Sequence, residues 1–517
     1  MSMQNRIRLL AALVLALGLD TAHAATFNVT RADDPVPDSC LAGDCSLREA
    51  IAATATTPEA DTIVLGAGQY RVTRGELAID GAMTIAAAGS AATRITSSGD
   101  YTILHVLPFG ALTIQGTEIG TVDGTAVVVE DNATATLRDI HVPANAGGVG
   151  TASADSGNGS LRIENSTLDS FLACFQPQGS CRVFDSRLHE LLITSELELV
   201  RVEVDGANTD TYGITVASST PITIEDSTIR RTDHPLYLIG DGDTAAAVHV
   251  RRTRFIDNTG PLIADRVSVI DMDEVEFRHH VVSDANAGAP AVLYALPGPL
   301  WSISRALVVG NRGGADLDGA VIRVLGGGRV AFDNSTFDDN TFRAGASYGH
   351  TIGVYNNTST TALLWLFHVT MRRAAVLDDM TVGSLLTVRG PMTDVRVDNS
   401  ALRGTCGFGG GGEITQGVGN AEASGNTCGL DPVTNQVEMA PSQMSLGDLG
   451  EHGGFTDTFY PTRNSALIDT ADEAFCTVFG PLDQRRYARP TDGIACDVGA
   501  AEVDAIADAL FADGFGD

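Results

Sequence analysis

Between about residues 60 and 440, one pattern of apolar and polar residues returns many times along the chain. Each copy has alternating apolar residues, a short polar step and one further apolar residue. This alternation predicts β-strands that each bury one face. Clear copies are LRIENSTLDS (161–170), CRVFDSRLHE (181–190), ITIEDSTIRR (222–231), VHVRRTRFID (248–257), RVAFDNSTFDD (329–339) and VRVDNSALRG (395–404).

The copies align on one apolar position, whose spacing ranges from 16 to 34 residues and averages 26. The aligned residues are Leu137, Ile163, Val183, Leu199, Ile224, Val250, Met272, Ile303, Phe332, Leu366 and Val397. A β-rich repeat of this length predicts a solenoid, and parallel crossovers favour one hand. We therefore predict an all-β fold, a single-stranded right-handed parallel β-helix of roughly fifteen coils, with the aligned side chains stacked inside.

The polar steps predict sharp turns between strands. Asn165, Asp226, Asn334 and Asn399 each precede a serine at the step. Asn and Asp tolerate the left-handed backbone, and their side chains can form a polar ladder from coil to coil. A tandem array of β-sandwiches is the alternative, but its hairpins would need regularly spaced Asp-Gly or Asn-Gly pairs.

The first residues are typical of a secretory signal peptide, which we expect to span 1–24. Arg6 and Arg8 precede an apolar run from Leu9 to Leu19, and Ala22-His23-Ala24 provides a small-x-small cleavage site. The run is about half the ~20 residues that a membrane span needs, so an uncleaved anchor is the weaker alternative. We predict a secreted protein, extracellular or at the cell surface, without a membrane span.

The eight cysteines form pairs that are close in sequence. The pairs are Cys40/Cys45, Cys174/Cys181, Cys406/Cys428 and Cys476/Cys496. In an oxidising compartment such pairs predict disulfides. Zinc is the alternative, but no C-x-x-C pair or histidine pair at ligand spacing accompanies them.

Residues 40–51 contain the string CSLREA, which is followed by DTIVL at 61–65. This stretch resembles the CSLREA domain at the start of many secreted bacterial β-helix proteins, which implies a pectin-lyase-like superfamily fold. Ser46 can cap a short helix with Glu49 closing a capping box, and that helix would protect the edge of the first coil. We expect 25–60 to be an N-terminal cap in which Arg48 and Glu49 are structural rather than catalytic.

The other end resembles the choice-of-anchor Q region, which closes bacterial surface β-helix proteins before a variable anchoring tail. The resemblance rests on NSALID (464–469), DQR (483–485), Arg489-Pro490, CDVGA (496–500) and Glu502. It departs at Arg486, where glycine is common, and at Leu467-Ile468, where Pro-Ala-Ile is usual. It implies a β-helix over 61–440, a C-terminal module over 441–503 and a tail over 504–517.

Two expectations attach to this end. We expect Asp483 and Arg485 to join Arg489 or Asp497 in a buried ion-pair cluster around Cys476 and Cys496. In the tail, Phe511 and Phe515 would be apolar handles for surface-attachment machinery, with a frayed terminus as the alternative.

The composition of the chain excludes some classes of reaction and argues against some classes of partner. All 33 basic residues are arginine, and 65 acidic residues bring the net charge to −32. The lack of lysine excludes Schiff-base and P-loop chemistry. The charge argues against nucleic acid and anionic lipid as partners. A carbohydrate or another surface protein is the expected partner, and the oligomeric state stays open.

Enzymes with β-helix folds cleave pectin, so catalytic patterns were compared with the chain. Asp210, Asp241, Asp243 and His350 resemble in kind the residues of polygalacturonases, but His350 lies 107 residues beyond Asp243. For a pectate lyase, calcium could bind Asp271, Asp273 and Glu274, or Asp316 and Asp318, through oxygen ligands. Both patterns are incomplete, and acidic turns are expected by chance in so acidic a chain.

We therefore favour an exported, non-catalytic β-helix protein that acts as a binding or adhesion platform and needs no cofactor. The alternative is a polysaccharide-active enzyme, either a lyase or a glycoside hydrolase. Acidic side chains that converge from neighbouring coils would favour the enzyme.

Overall fold

The structure is a computed structural model. It describes residues 24–503 except 56–58, 98, 122–123, 153–156, 208–210, 218–219, 241–246, 266–268, 284–287, 315–319, 344–348, 374–379, 382, 477–480 and 491–494. The predictions for the signal peptide and the 504–517 tail therefore fall outside the described residues.

The chain folds into a right-handed parallel β-helix, as predicted. Each full coil adds one strand to each of three parallel sheets, which we call sheets 1, 2 and 3 in the order in which the chain visits them. Sheet 1 contains Thr26–Asn28, Asp61–Leu65, Ala82–Ala87, Ser160–Glu164, Ser180–Phe184, Glu196–Val200, Ile222–Glu225, Leu300–Ser304, Arg329–Asp333, Ala362–Phe367 and Thr393–Asp398.

Sheet 2 follows sheet 1 across a tight turn. Its strands are Gly68–Val72, Thr93–Ser97, Glu203–Asp205, Thr228–Arg230, Leu307–Val309, Thr336–Asp338, Thr370–Arg372, Ala401–Arg403, Ala421–Ala423 and Gln436–Met439. Long strands bend from sheet 1 into sheet 2, namely Ala111–Gly120, Thr134–Val142, Ala247–Ile256 and Val269–Arg278.

Sheet 3 completes each coil. Its strands are Leu77–Ile79, Leu104–Val106, Val127–Val129, Val149–Thr151, Tyr212–Val216, His234–Ile239, Leu262–Asp265, Leu293–Ala295, Ala320–Leu325, His350–Tyr355, Ser384–Arg389 and Cys406–Gly409. Two long strands, Thr167–Cys174 and Arg187–Ile193, bend from sheet 2 into sheet 3.

Shorter elements lie outside these sheets. A small sheet joins Arg312–Gly313, Thr341–Arg343 and Met380–Thr381, and an antiparallel pair joins Leu446–Gly450 to Thr458–Pro461. In the part of the chain that the structure describes, the helices are α1 (Leu47–Thr54), α2 (Pro441–Met444) and a 3₁₀ turn at Glu473–Phe475. Within the described residues, no helix combines the length and apolar character needed to cross a bilayer.

The aligned apolar position of the repeat forms one column inside sheet 1. From Leu137 to Val397, each aligned residue is the register partner of the next. Every member is at most 1% exposed. The column continues towards the N-terminus through Ile114, Ile85 and Ile63. The predicted internal stack is confirmed.

The turn from sheet 1 to sheet 2 places one residue per coil in the left-handed region, with φ between 44° and 56°. These residues are Asp139, Asn165, Asp185, Arg201, Asp226, Arg252, Glu274, Arg305, Asn334, His368 and Asn399. The predicted left-handed backbone is confirmed at the Asn and Asp steps, and the arginines, the glutamate and the histidine at the same position were not foreseen.

The polar ladder at this turn is made mainly by the serine that follows. The Ser166 hydroxyl accepts from the backbone N–H of Ile140 at 3.1 Å, and the Ser186 hydroxyl accepts from Ser166 at 3.0 Å. The same bond recurs at Ser227, Ser335 and Ser400. A true asparagine ladder lies at the next turn, where Asn340 accepts from Asn311 at 3.2 Å. Sequence reasoning missed this second ladder.

Charge alternates along five successive left-handed positions: Asp185, Arg201, Asp226, Arg252 and Glu274. Arg201 donates to Asp185 at 2.5 Å, and Arg252 donates to Asp226 at 2.5 Å. These bonds hold the pKa of each aspartate below its usual range. The turn is therefore fastened from outside by side-chain ion pairs.

Helix α1 has the predicted capping box. The backbone N–H of Glu49 donates to the Ser46 hydroxyl at 3.3 Å, and that of Ser46 donates to the Glu49 carboxylate at 2.7 Å. Arg48 donates to Asp34 at 2.7 Å and to the carbonyl of Glu76 at 2.7 Å. The helix packs on Asp61–Leu65 of sheet 1 and Leu77–Ile79 of sheet 3, so Arg48 and Glu49 have structural roles.

All four predicted disulfides are present: Cys40–Cys45, Cys174–Cys181, Cys406–Cys428 and Cys476–Cys496. No cysteine in the described residues is left free.

After Met439 the chain turns back and covers the outer face of sheet 2. We call residues 441–503 the covering segment. Asp457 accepts from Arg278 at 2.7 Å, and the Thr370 hydroxyl accepts from the backbone N–H of Ala500 at 2.9 Å. Arg486, whose φ is +70°, donates to Glu274 at 2.7 Å. A second small core, separate from the main one, contains Ala401, Ala421, Ala423, Met439, Met444, Leu467, Ala471, Cys476, Cys496 and Val498.

The expected ion-pair cluster lies inside this segment, with a different pairing. Arg485 donates to Asp483 at 2.7 Å, and Arg489 donates to Glu502 at 2.8 Å. Arg489 is 2% exposed and also donates to the Asn334 side chain at 2.9 Å. Burial raises the pKa of Glu502 to about 7, although the nearby Arg489 charge opposes the shift. The cluster therefore ties the covering segment to the β-helix.

Candidate functional site

Four of the predicted catalytic and calcium residues fall within the described part of the chain. Asp210, Asp241, Asp243, Asp316 and Asp318 lie outside the described residues. The remaining candidates are His350, Asp271, Asp273 and Glu274.

The three described calcium candidates face arginine or histidine side chains, and Glu274 accepts from Arg486 as described above. Asp273 accepts from Arg486 at 2.8 Å and pairs with Arg305 at 2.5 Å. Asp271 faces His249 at 3.5 Å. Among the residues that the structure describes, no group of three or more His, Cys, Asp or Glu side chains could hold a metal ion.

His350 begins a strand of sheet 3 and lies beside a cleft. Its Nε2 contacts the Tyr355 hydroxyl, and its ring packs near that of Phe342 at 6.4 Å. Burial, followed by the positive charges of Arg323 and Arg389, lowers the pKa of His350 to about 3. The imidazole is therefore neutral at physiological pH.

The cleft has a volume of about 530 Å³ and opens on the outer face of sheet 3. It is lined by Pro297, Arg323, Leu325, Gly326, Tyr355, Asn356, Asn357, Thr358, Arg389 and Gly390. Leu325, Tyr355 and Arg389 occupy one position on three successive strands, so the parallel register brings them side by side. None of these described lining residues is acidic.

One glycine makes room for the rings of this site. Gly353 lies between Arg323 and Thr387 in the register of sheet 3. A Cβ added there would lie 2.6 Å from the Tyr355 ring and 2.8 Å from the His350 ring. Both rings can therefore lie across the strand only because residue 353 has no side chain.

Arginine and tyrosine rings are associated on this face. The Arg323 guanidinium carbon lies 5.8 Å from the ring centroid of Tyr294 and 6.0 Å from that of Tyr355. These distances are within the range of cation–π contacts. Arg323 also donates to the carbonyl of Gly288 at 2.9 Å.

The rim of the cleft is a hydrogen-bonded turn. The Asn356 side chain accepts from the backbone N–H of Thr358 at 2.8 Å and donates to the carbonyl of Thr360 at 2.7 Å. Its backbone N–H donates to the carbonyl of Arg389 at 2.8 Å. The turn is thereby anchored to the strand that carries Arg389.

Sequence reasoning singled out His350 but missed Arg323, Tyr355 and Arg389. These residues are 32 and 34 positions apart and belong to no motif. The usable signal was the absence of charge at most outward positions of sheet 3, which becomes visible only once the strands of that sheet are known.

No family model and no curated protein matches the chain. Among solved structures, the catalytic unit of a GH87 α-1,3-glucanase from Streptomyces thermodiastaticus is 15% identical, with 62% of this chain and 64% of that chain covered and a TM-score of 0.33. The chain therefore spans less than two thirds of that catalytic unit.

Two further solved structures match at a similar level. The A-module of mannuronan C-5 epimerase AlgE6 from Azotobacter vinelandii is 12% identical over 73% of this chain and 94% of that chain, with a TM-score of 0.32. Pectate lyase Pel9A is 12% identical over 94% and 98%, with a TM-score of 0.22. All three TM-scores are below 0.5, so no role is inferred from these likenesses.

Proposed function

We propose that this protein is an exported, non-catalytic β-helix platform that binds an acidic polysaccharide outside the cell. The observation that carries the proposal is the cleft on sheet 3. Two arginines and a tyrosine line it, and its described lining residues include no carboxylate, in a chain with a net charge of −32.

The chemistry of these side chains fits a uronate sugar. An arginine fork binds a carboxylate through two parallel hydrogen bonds. A tyrosine presents an apolar ring and a polar hydroxyl, which suits the apolar and polar faces of a sugar ring. The amide of Asn357 and the hydroxyl of Thr358, both exposed at the rim, add donors and acceptors for sugar hydroxyls.

Binding is favoured over catalysis for two physical reasons. General acid–base catalysis works best with a group whose pKa is near the working pH, whereas the pKa of His350 is about 3. Inverting and retaining hydrolysis both need a pair of carboxyl groups, and the described lining of the cleft has none. The polysaccharide-active enzyme is therefore the second candidate.

Export to an oxidising compartment is part of the proposal. Four disulfides are typical of extracellular proteins. The signal peptide predicted over 1–24 and the resemblance of both ends to CSLREA and choice-of-anchor Q regions agree with a bacterial surface location.

The test compares polygalacturonate with its methyl-esterified form, which has the same sugar rings without the negative charges. Isothermal titration should give binding to polygalacturonate and little binding to the ester. Arg389→Gln should weaken binding to polygalacturonate about tenfold, because one charge-assisted contact is lost. The matched control is Arg138→Gln, which removes an exposed arginine from the outer face of sheet 1.

Other outcomes would contradict the proposal. Equal binding to both polymers, or equal loss in the two arginine variants, would show that the cleft does not select acidic sugars. Release of unsaturated or reducing ends from polygalacturonate would replace the platform with the enzyme.

A further inference from the structure

The outer face of sheet 3 differs from that of sheet 1. One outward position can be followed in register through Leu192, Thr215, Tyr237, Ile263, Tyr294 and Arg323. The first five are uncharged. On sheet 1, the corresponding outward position through the same part of the rod reads Arg182, Glu198, Thr223, His249 and Asp271.

This uncharged strip is accessible. Leu192 is 39% exposed and Tyr212, on the neighbouring outward position, is 37% exposed. The Tyr212 and Tyr237 rings lie 5.3 Å apart, and Tyr212 also contacts the His234 ring at 5.0 Å. Four of the nine tyrosines of the chain, Tyr212, Tyr237, Tyr294 and Tyr355, lie on this face.

The strip runs directly into the cleft. Tyr294 is the register partner of Arg323 and packs against its guanidinium, so the last ring of the strip touches the first cation of the site. Seven coil steps separate Leu192 from Thr387, the outward residue of the strand that carries Arg389, which gives a length of about 34 Å at the usual strand spacing. Glu190 and Asp265 lie on the flanking positions, beside the strip rather than on it.

We infer that the strip from Leu192 to Tyr294, together with the cleft, is one continuous binding surface for an extended acidic polysaccharide lying along the axis of the rod. This inference rests on the proposed function. Tyrosine rings suit the apolar faces of successive sugars, the lack of carboxylates at the described positions of the strip itself reduces repulsion of uronates, and Arg323 and Arg389 hold the charged groups at one end.

The test uses two oligogalacturonates, a trisaccharide and a dodecasaccharide, with isothermal titration. The wild-type protein should bind the dodecasaccharide at least about tenfold more tightly than the trisaccharide, because only the longer chain reaches the strip. Tyr237→Ala should remove most of that advantage while leaving trisaccharide binding unchanged, and Tyr237→Phe should retain it. The matched control is Phe109→Ala, an aromatic residue that is 78% exposed and lies at a turn away from the strip.

The results separate this inference from the proposed function. If the two oligosaccharides bind equally, or if Tyr237→Ala keeps the full advantage while its thermal unfolding matches that of the wild-type protein, the strip is not a binding surface. In that case trisaccharide binding that is still lost in Arg389→Gln upholds the cleft. If neither oligosaccharide binds, both the cleft and the strip are overturned.

Discussion

The two halves of sheet 2 have the same backbone arrangement, but the outer face is largely charged in the N-terminal half and uncharged in the C-terminal half. In the N-terminal half, one outward position reads Arg94, Glu118, His141, Thr167, Arg187, Glu203, Thr228, Arg254 and Glu276. In the C-terminal half, it continues as Leu307, Thr336, Thr370, Ala401 and Ala421. The uncharged half is the part of sheet 2 on which the covering segment packs.

The difference teaches how to interpret an outward face of this solenoid. The inner column is apolar throughout, so it carries no information about the surroundings of a coil. The outer position is charged where water meets the sheet, and it is small or apolar where the covering segment packs. The strip of sheet 3 is uncharged, like the covered half of sheet 2, but no segment among the described residues covers it. For that reason we propose a binding role for the strip.

The largest expected effect comes from placing a charged side chain between sheet 2 and the covering segment. Ala401 is fully buried between sheet 2 and the covering segment. Ala401→Glu should destabilise the protein by more than about 4 kcal/mol, or detach the segment, because a buried carboxylate has no partner there. Thr228→Glu, on the open half of the same position, should change the free energy of unfolding by about 0.5 kcal/mol or less. Denaturant unfolding measures both, and equal effects would contradict the comparison.

A smaller loss of stability is expected when the covering segment loses the buried arginine that ties it to the β-helix. Arg489→Ala leaves Glu502 and Asn334 buried without their common partner, which should cost about 3 to 5 kcal/mol. Arg94→Ala removes an arginine that is 57% exposed and pairs with Glu118, and it should cost no more than about 1 kcal/mol. Limited proteolysis should also release residues 441–503 in the first variant alone. A stable, protease-resistant Arg489→Ala protein would show that the cluster is not the anchor.

The smallest effect concerns an open face and depends on pH. His105 on sheet 3 bridges Glu76 at 2.9 Å and Glu130 at 2.8 Å. Partial burial would lower its pKa, but the hydrogen bonds to Glu130 and Glu76 outweigh burial and raise it above 6.5. The stabilisation, at most about 1 kcal/mol, is therefore fully present below pH 6.5 and is lost as pH rises through the raised pKa.

The measurement for this prediction is the difference in unfolding free energy between the wild-type protein and His105→Gln, followed from about pH 5 to about pH 9. The difference should shrink as the pH rises. A difference that stays constant would assign His105 a packing role only.

The sequence predicted those parts of the molecule that depend on local pattern. The inner column from Leu137 to Val397 was found because alternation and a repeated step are visible within ten residues. The Ser46–Glu49 capping box and the four disulfides were found for the same reason, since each involves positions close in sequence.

The missed features are side chains that meet on adjacent strands. Their register cannot be counted along the sequence, because the connecting loops differ in length. Tyr355 and Arg389 meet because sheet 3 places them on adjacent strands, and no local motif marks either residue. The pairing of Arg489 with Glu502 in the buried cluster was missed for the same reason. Arg489 reaches Glu502 and Asn334 through the path of the covering segment, which spacing in the sequence does not reveal.

The alternating charges at the left-handed turn restrict how such a rod can change length in evolution. Asp185, Arg201, Asp226, Arg252 and Glu274 form a sequence in which every neighbour has the opposite sign. Deleting the single coil that begins at Arg201 would bring Asp185 against Asp226, two like charges on adjacent coils. Removing or duplicating two coils together keeps the order intact. Growth and shrinkage of this part of the β-helix should therefore proceed in pairs of coils.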